Sequence, residues 1–202
     1  MDRAKELGIP VFLNLEHGHK DLALLKRYAS RTSICQVVTD AAQLGGNRAL
    51  MLTARKLLNA GIQTAIITLA KEGCLVARGQ EIVRVHAPKV RAVDACGAGA
   101  TFSSGFAYGL LQGWGIEHAA RFATAAASLK VTRAGLEMFS LEEIHALAER
   151  LKVEYLTFKD NQFHRLSQLI TAQPRVLVDR SRDLVKQAGE SLKPRTGNRS
   201  QS

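Results

Sequence analysis

A chain of 202 residues, 46% hydrophobic and 23% charged, is long enough to bury a core and has the balance of a globular protein, which excludes disorder throughout and predicts one domain plus a tail. No apolar run approaches the roughly 20 residues that a membrane-spanning helix needs, and a net charge of +10 suits phosphates or another anionic partner. From Val153 onward nine Lys or Arg stand against five Asp or Glu, so +4 of the excess lies in the tail; the rest is spread out and reads as a solvated basic face.

The opening stretch, "MDRAKELGIPVFLNLE", is a charged helix-like segment running straight into a strand, without the apolar core and small-residue cleavage site of a leader peptide, so a cytoplasmic protein is expected. The short β-branched runs 10–16, 34–40 and 64–70 read as strands buried on both faces. Between them "KDLALLKRYA" and "NRALMLTARKLLNAG" carry apolar residues at helical spacing, and the alternation predicts a parallel sheet covered by helices. "CLVAR" and "EIVRVHA" then flank Gly79-Gln80, a linker suited to a type II′ hairpin that adds an antiparallel edge.

Two helices rich in Gly, Ala and Ser follow, "TFSSGFAYGLLQGW" and "IEHAARFATAAASLKVTR", built for close approach of their backbones. In "SLEEIHALAERL" Ser140 and Glu143 have capping-box spacing. The globular unit is expected to end near Lys152, giving a core over 1–152 and a basic extension over 153–202 that is partly helical, with "KPRTGNRSQS" disordered.

Cys35, Cys74 and Cys96 form neither an even set nor a CxxC pair, which favours reduced, buried thiols over a disulfide frame or a zinc knuckle. "EHGH" puts Glu16, His17 and His19 after a strand, but two His at i and i+2 without a third ligand nearby favour a loop contact over a metal site. His86, His118, His145 and His164 are scattered and read as surface or satisfied core residues; Phe106, Tyr108 and Trp114 read as packing, not as a base-stacking set. Without interleaved aromatics, the basic tail reads as solvated, not as a nucleic-acid binder.

The chemistry concentrates in "VDACGAGATF", residues 93–102. A Gly-Ala-Gly turn opening a helix aims unpaired N–H groups and the positive end of the helix dipole at one spot, where an anion gains several hydrogen bonds. With the hairpin before it and the Ala-rich helix after it, this stretch resembles the C-terminal half of the ribokinase-like (PfkB) carbohydrate kinases, whose signature is D-T-x-G-A-G-D-x-F followed by a G-F pair. Asp94, Gly97, Ala98, Gly99 and Phe102 match, as does Gly105-Phe106, and the resemblance runs from about Ala4 to about Leu151.

The resemblance implies a Rossmann-like, three-layer α/β fold, ATP and magnesium as cofactors, and a sugar or sugar phosphate as acceptor. It implies that the N–H groups of Gly97, Ala98, Gly99 and Ala100 form the anion hole for the transferring phosphoryl group. Thr68, Lys71 and Gly73 fall in its nucleotide segment, T-x-G-x-x-G, with Ala70 replacing the first Gly. It places Thr124 to Ser128 near the adenine, and Asp94 near a site for a monovalent cation such as potassium.

Three departures qualify it. The family's catalytic base, the Asp ending G-A-G-D, is here Ala100, and loss of a positioned general base costs roughly 10²- to 10⁴-fold in rate. The segment corresponding to the family's Asn-x-x-Glu is "VVTDAAQ", with Asp40 its only carboxylate, which weakens the case for magnesium. The family's N-terminal strands and lid have no counterpart in this sequence, so a fragment, or a site completed by a partner chain or by self-association along an apolar edge, is expected. Three readings stay open: an ATP-dependent carbohydrate kinase of weak activity, a catalytically silent nucleotide- or sugar-binding relative, and a truncated product that does not fold alone or binds nucleic acid through its tail.

Overall fold

The computed structural model describes residues 1–16, 22–39, 46–135, 137 and 139–158. Asp40, His17, His19, His164 and the tail beyond Phe158, on which some expectations rest, lie outside the described residues.

The order is α1 (Asp2–Glu6), β1 (Phe12–Glu16), α2 (Leu22–Ala29), β2 (Ile34–Val38), α3 (Asn47–Asn59), β3 (Thr64–Thr68), a 3₁₀ turn (Ala70–Glu72), β4 (Cys74–Arg78), β5 (Glu81–Val85), α4 (Ala98–Leu111), α5 (Ile116–Lys130), α6 (Leu141–Ala148) and β6 (Val153–Leu156). The strands form one sheet in sequence order, β1 to β6. β1, β2 and β3 run parallel, joined by helices as the alternation predicts; β3–β4, β4–β5 and β5–β6 are antiparallel. In the hairpin Arg78 pairs with Glu81, and Gly79 takes φ +59° as the first corner of a II′ turn requires.

Sequence reasoning ended the unit near Lys152, but Val153–Leu156 pairs with β5 over Val85 to Ile82, so the sheet gains a sixth strand outside the hairpin. Its half-buried pattern, with Tyr155 67% exposed, is that of an edge strand, and four residues are too few for periodicity to reveal.

Ile34, Ile66, Cys74, Val76, Val83 and Val85 face Phe102, Phe106, Phe122 and Ile144 from α4, α5 and α6 in one apolar cluster. The intervening residues Cys35, Val37, Ala65, Ile67, Leu75 and Ala77, also buried, take the opposite face, where α3 packs on β3 and β4. Small residues let α4 and α5 meet closely: a Cβ at Gly109 would lie 2.8 Å from the Ala119 Cβ and 2.9 Å from the Trp114 ring. The Ser140–Glu143 capping box forms in both directions and starts α6. Among the described residues no helix is long and apolar enough to cross a membrane.

Candidate active site

Helix α4 begins at Ala98, three residues before the predicted start, so Ala98, Gly99 and Ala100 are its first turn and Gly97 its N-cap. Gly97 takes φ +79°, a left-handed conformation that a side chain resists. No side chain caps this end. Thr101 N–H reaches back to Gly97 O and Ala98 N–H to Ala95 O, whereas the N–H groups of Gly99 and Ala100 belong to the first turn and have no intrahelical acceptor. A Cβ at Gly99 would meet nothing within 4 Å, so the space beside these donors is open. Orphan donors, an uncapped dipole and open space fit an anion such as a nucleotide phosphate.

Asp94 holds the loop from below. Its Oδ1 accepts the Cys96 N–H at 2.9 Å; its Oδ2 accepts the Gly135 N–H at 3.1 Å and the Lys130 ammonium at 3.2 Å. Its own N–H and that of Val93 donate to Val131 O. The Cys96 N–H, then the Lys130 ammonium and the Gly135 N–H, hold the Asp94 carboxyl below the usual carboxylate range. A carboxylate so engaged is a weak proton acceptor. Ala100 itself is exposed and presents only a methyl group.

Two polar residues that sequence reasoning did not single out support the same corner. Gln36, fully buried in β2, accepts from the Ser103 hydroxyl at 2.8 Å, and that hydroxyl also lies 3.0 Å from Gly99 O. Lys130, the last residue of α5, is 5% exposed and reaches Asp94. Both carried a signal: Gln36 is the one polar residue inside the run "ICQVV", and Lys130 follows Ala123 and Ala126 at i+7 and i+4 on the buried face of α5.

The other expected nucleotide contacts are placed less directly. Thr68 is buried, and its hydroxyl donates to Val37 O at 3.2 Å, tying β3 to β2. Lys71 is exposed on the 3₁₀ turn, where Ala70 takes φ +46°. Gly73 closes the turn at φ +91°, and a Cβ there would stand 2.1 Å from Val85 O and 2.6 Å from Ala87 N. Thr124 and Ser128 are buried; the Thr124 hydroxyl lies 3.4 Å from the Cys74 thiol, and Ser128 donates to Thr124 O at 2.7 Å. Their hydroxyls are engaged inside the fold.

Two expectations are corrected. Cys96 is exposed in the loop, because its backbone and not its side chain is what the turn uses, while Cys35 and Cys74 are buried. Burial pushes the Cys35 thiol up to about 12 and that of Cys74 to about 11. His118 and His145 are not scattered: His118 stacks on Trp114 at 4.0 Å between ring centroids, and His145 lies 6.2 Å from His118, since α5 and α6 pack together. Among the described residues no group of three or more His, Cys, Asp or Glu could hold a metal ion.

The model of the pfkB family of carbohydrate kinases matches residues 33–143, more than half of the chain. The chain belongs to this family. It is 28% identical over 141 residues to an ATP-dependent 6-phosphofructokinase of Thermoanaerobacterium thermosaccharolyticum, an alignment covering 68% of this chain and 44% of that one. It is 31% identical over 104 residues to a ribokinase of Lactococcus lactis, covering 50% and 35%. Its fold matches that of Arabidopsis thaliana ribokinase, solved with ribose and ATP, at a TM-score of 0.63 and 23% identity, covering 73% of this chain and 50% of that one. The chain thus spans less than half the length of these two curated relatives.

Proposed function

We propose that this chain is the nucleotide-binding part of an ATP-dependent carbohydrate kinase that passes the γ-phosphoryl group to a hydroxyl of a sugar or sugar phosphate, slowly, because position 100 lacks a base. The single observation that carries the reading is the uncapped start of α4, with Gly97 left-handed and the Gly99 and Ala100 donors free, inside a segment that the family model covers. Homologues solved with ATP or an ATP analogue support the nucleotide as ligand.

The nucleotide supplies the transferable phosphoryl group, with magnesium to offset its charge. The chain's part is electrostatic and positional. The Gly99 and Ala100 N–H groups stabilise negative charge that grows on the phosphoryl oxygens during transfer, and the fixed loop requires no rearrangement at that moment. The Asp94 hydrogen bonds and the Gln36–Ser103 contact hold the donors in place. Nothing at Ala100 accepts the proton of the attacking hydroxyl, so that proton leaves to solvent or to the phosphate itself.

A second reading, a silent relative that binds nucleotide without turnover, is favoured by one observation: Asp94, the nearest carboxylate in the loop, is engaged by three donors. A second copy or a completing chain would extend the sheet at β1, the edge strand, where Leu13 and Leu15 are only half-buried. We place the protein in the cytoplasm. ADP formation from MgATP over a panel of sugars and sugar phosphates separates the two functions. The kinase reading expects slow turnover with one acceptor and a gain of roughly 10²-fold or more in Ala100→Asp. ATP binding with no turnover in the natural chain establishes the silent relative, and equal rates in both chains contradict the assignment of position 100.

A further inference from the structure

The family resemblance implies a monovalent cation at Asp94, and the residues present do not fit one. A cation already stands there: the Lys130 ammonium lies 3.2 Å from Asp94 Oδ2 and 3.3 Å from the Asp94 main-chain oxygen. A potassium ion on these two oxygens would sit within about 4 to 6 Å of that ammonium, a distance at which like charges strongly disfavour each other. The Cys96 and Gly135 N–H groups occupy two further acceptor positions of the carboxylate, one on each oxygen.

We propose that the Lys130 ammonium is the built-in cation of this chain, organising the phosphate-binding loop in place of a bound monovalent ion, so that the loop is formed without added potassium. Lys130 ends α5, where the carbonyl end of the helix favours a positive charge. Its stem runs beneath the loop: a Cβ built on Gly97 would stand 3.9 Å from Lys130 Cε. The side chain is 6% exposed against 30% for Asp94, so the ammonium is shielded from solvent ions while the carboxylate faces the loop. The Lys130–Asp94 pair thereby links the end of α5, the turn at Gly135 and the loop that opens α4. Lys130 is a positioning residue, acting on the anion site through Asp94. The nucleotide part of the inference rests on the kinase reading; the loop's order does not.

The test is hydrogen exchange of the hydrogen-bonded backbone amides of Cys96, Ala98 and Gly135 in the full chain without nucleotide, in KCl, NaCl and choline chloride at equal ionic strength. The natural chain is expected to show the same protection within about twofold in all three salts, and Lys130→Met to lose about tenfold in choline chloride. If Lys130→Met does not fold, Lys130→Gln, which keeps a donor but no charge, replaces it. Protection in the natural chain that rises fivefold or more in KCl over choline chloride would overturn the proposal, as would a variant as well protected as the natural chain. Absence of ATP binding would remove the kinase reading and leave this readout intact.

Discussion

The two segments assigned to the nucleotide, 94–100 and 68–73, are built on the same backbone device and have fared differently. Both turn through left-handed residues: Gly97 at φ +79° in one, Ala70 at φ +46° and Gly73 at φ +91° in the other. In the first the motif's glycine is kept and alanine stands at position 100; in the second alanine stands where the family motif has its first glycine, at positive φ. A role carried by main-chain N–H groups tolerates a change of side chain, whereas a role carried by a carboxylate does not. On the proposed reading, binding and catalysis are therefore separable in this chain.

The sharpest way to break the comparison is at Gly73. Gly73→Ala drives a methyl to 2.1 Å from Val85 O, and backbone of both segments must shift. A loss of about 3 kcal/mol or more, or failure to fold, is expected in urea unfolding; a loss below about 1 kcal/mol would mean that the turn yields easily. Gly97→Ala meets only Lys130 Cε, at an ordinary contact of 3.9 Å, so its cost is the conformational strain, about 1–2 kcal/mol, with nucleotide affinity expected to fall as the donors move. Ala70→Gly should act in the opposite sense, stabilising by about 0.5–1 kcal/mol by relieving φ +46°.

Acid titration sharpens the role of Asp94. Its pKa is lower folded than unfolded, so the unfolded chain takes up the proton first as pH falls. The stability it contributes is present above its unfolded value of about 4 and is lost as pH falls through the folded value. Asp94→Asn should be less stable at pH 7 and show a shallower decline below pH about 4; parallel curves for the two chains would contradict the ion pair.

Much of the fold was legible because its elements have strong periods or strong punctuation. β4 and the start of β5 fall where "CLVAR" and "EIVRV" put them, and Gly79-Gln80 forms the turn its composition requires. β6 was not legible, because four half-buried edge residues carry no alternation long enough to read. The Gly97 turn was readable from the motif, yet the partners that hold it were not: Lys130 and Gln36 are distant in sequence, and only the packing of α5 and β2 against α4 brings them to Asp94 and Ser103. The hydroxyls of Thr68, Thr124 and Ser128 show the converse, since a motif names a residue without saying which way its polar atom points.

On the proposed reading, the loop holds phosphate through its main chain although position 100 carries no carboxylate. Calorimetric titration of the full chain with ATP, and with AMP as the short-phosphate control, tests it without any mutation. The account predicts one saturable ATP site with AMP at least about tenfold weaker, since terminal phosphates reach the Gly99 and Ala100 donors. No saturable ATP binding, or AMP binding as tightly as ATP, would contradict it.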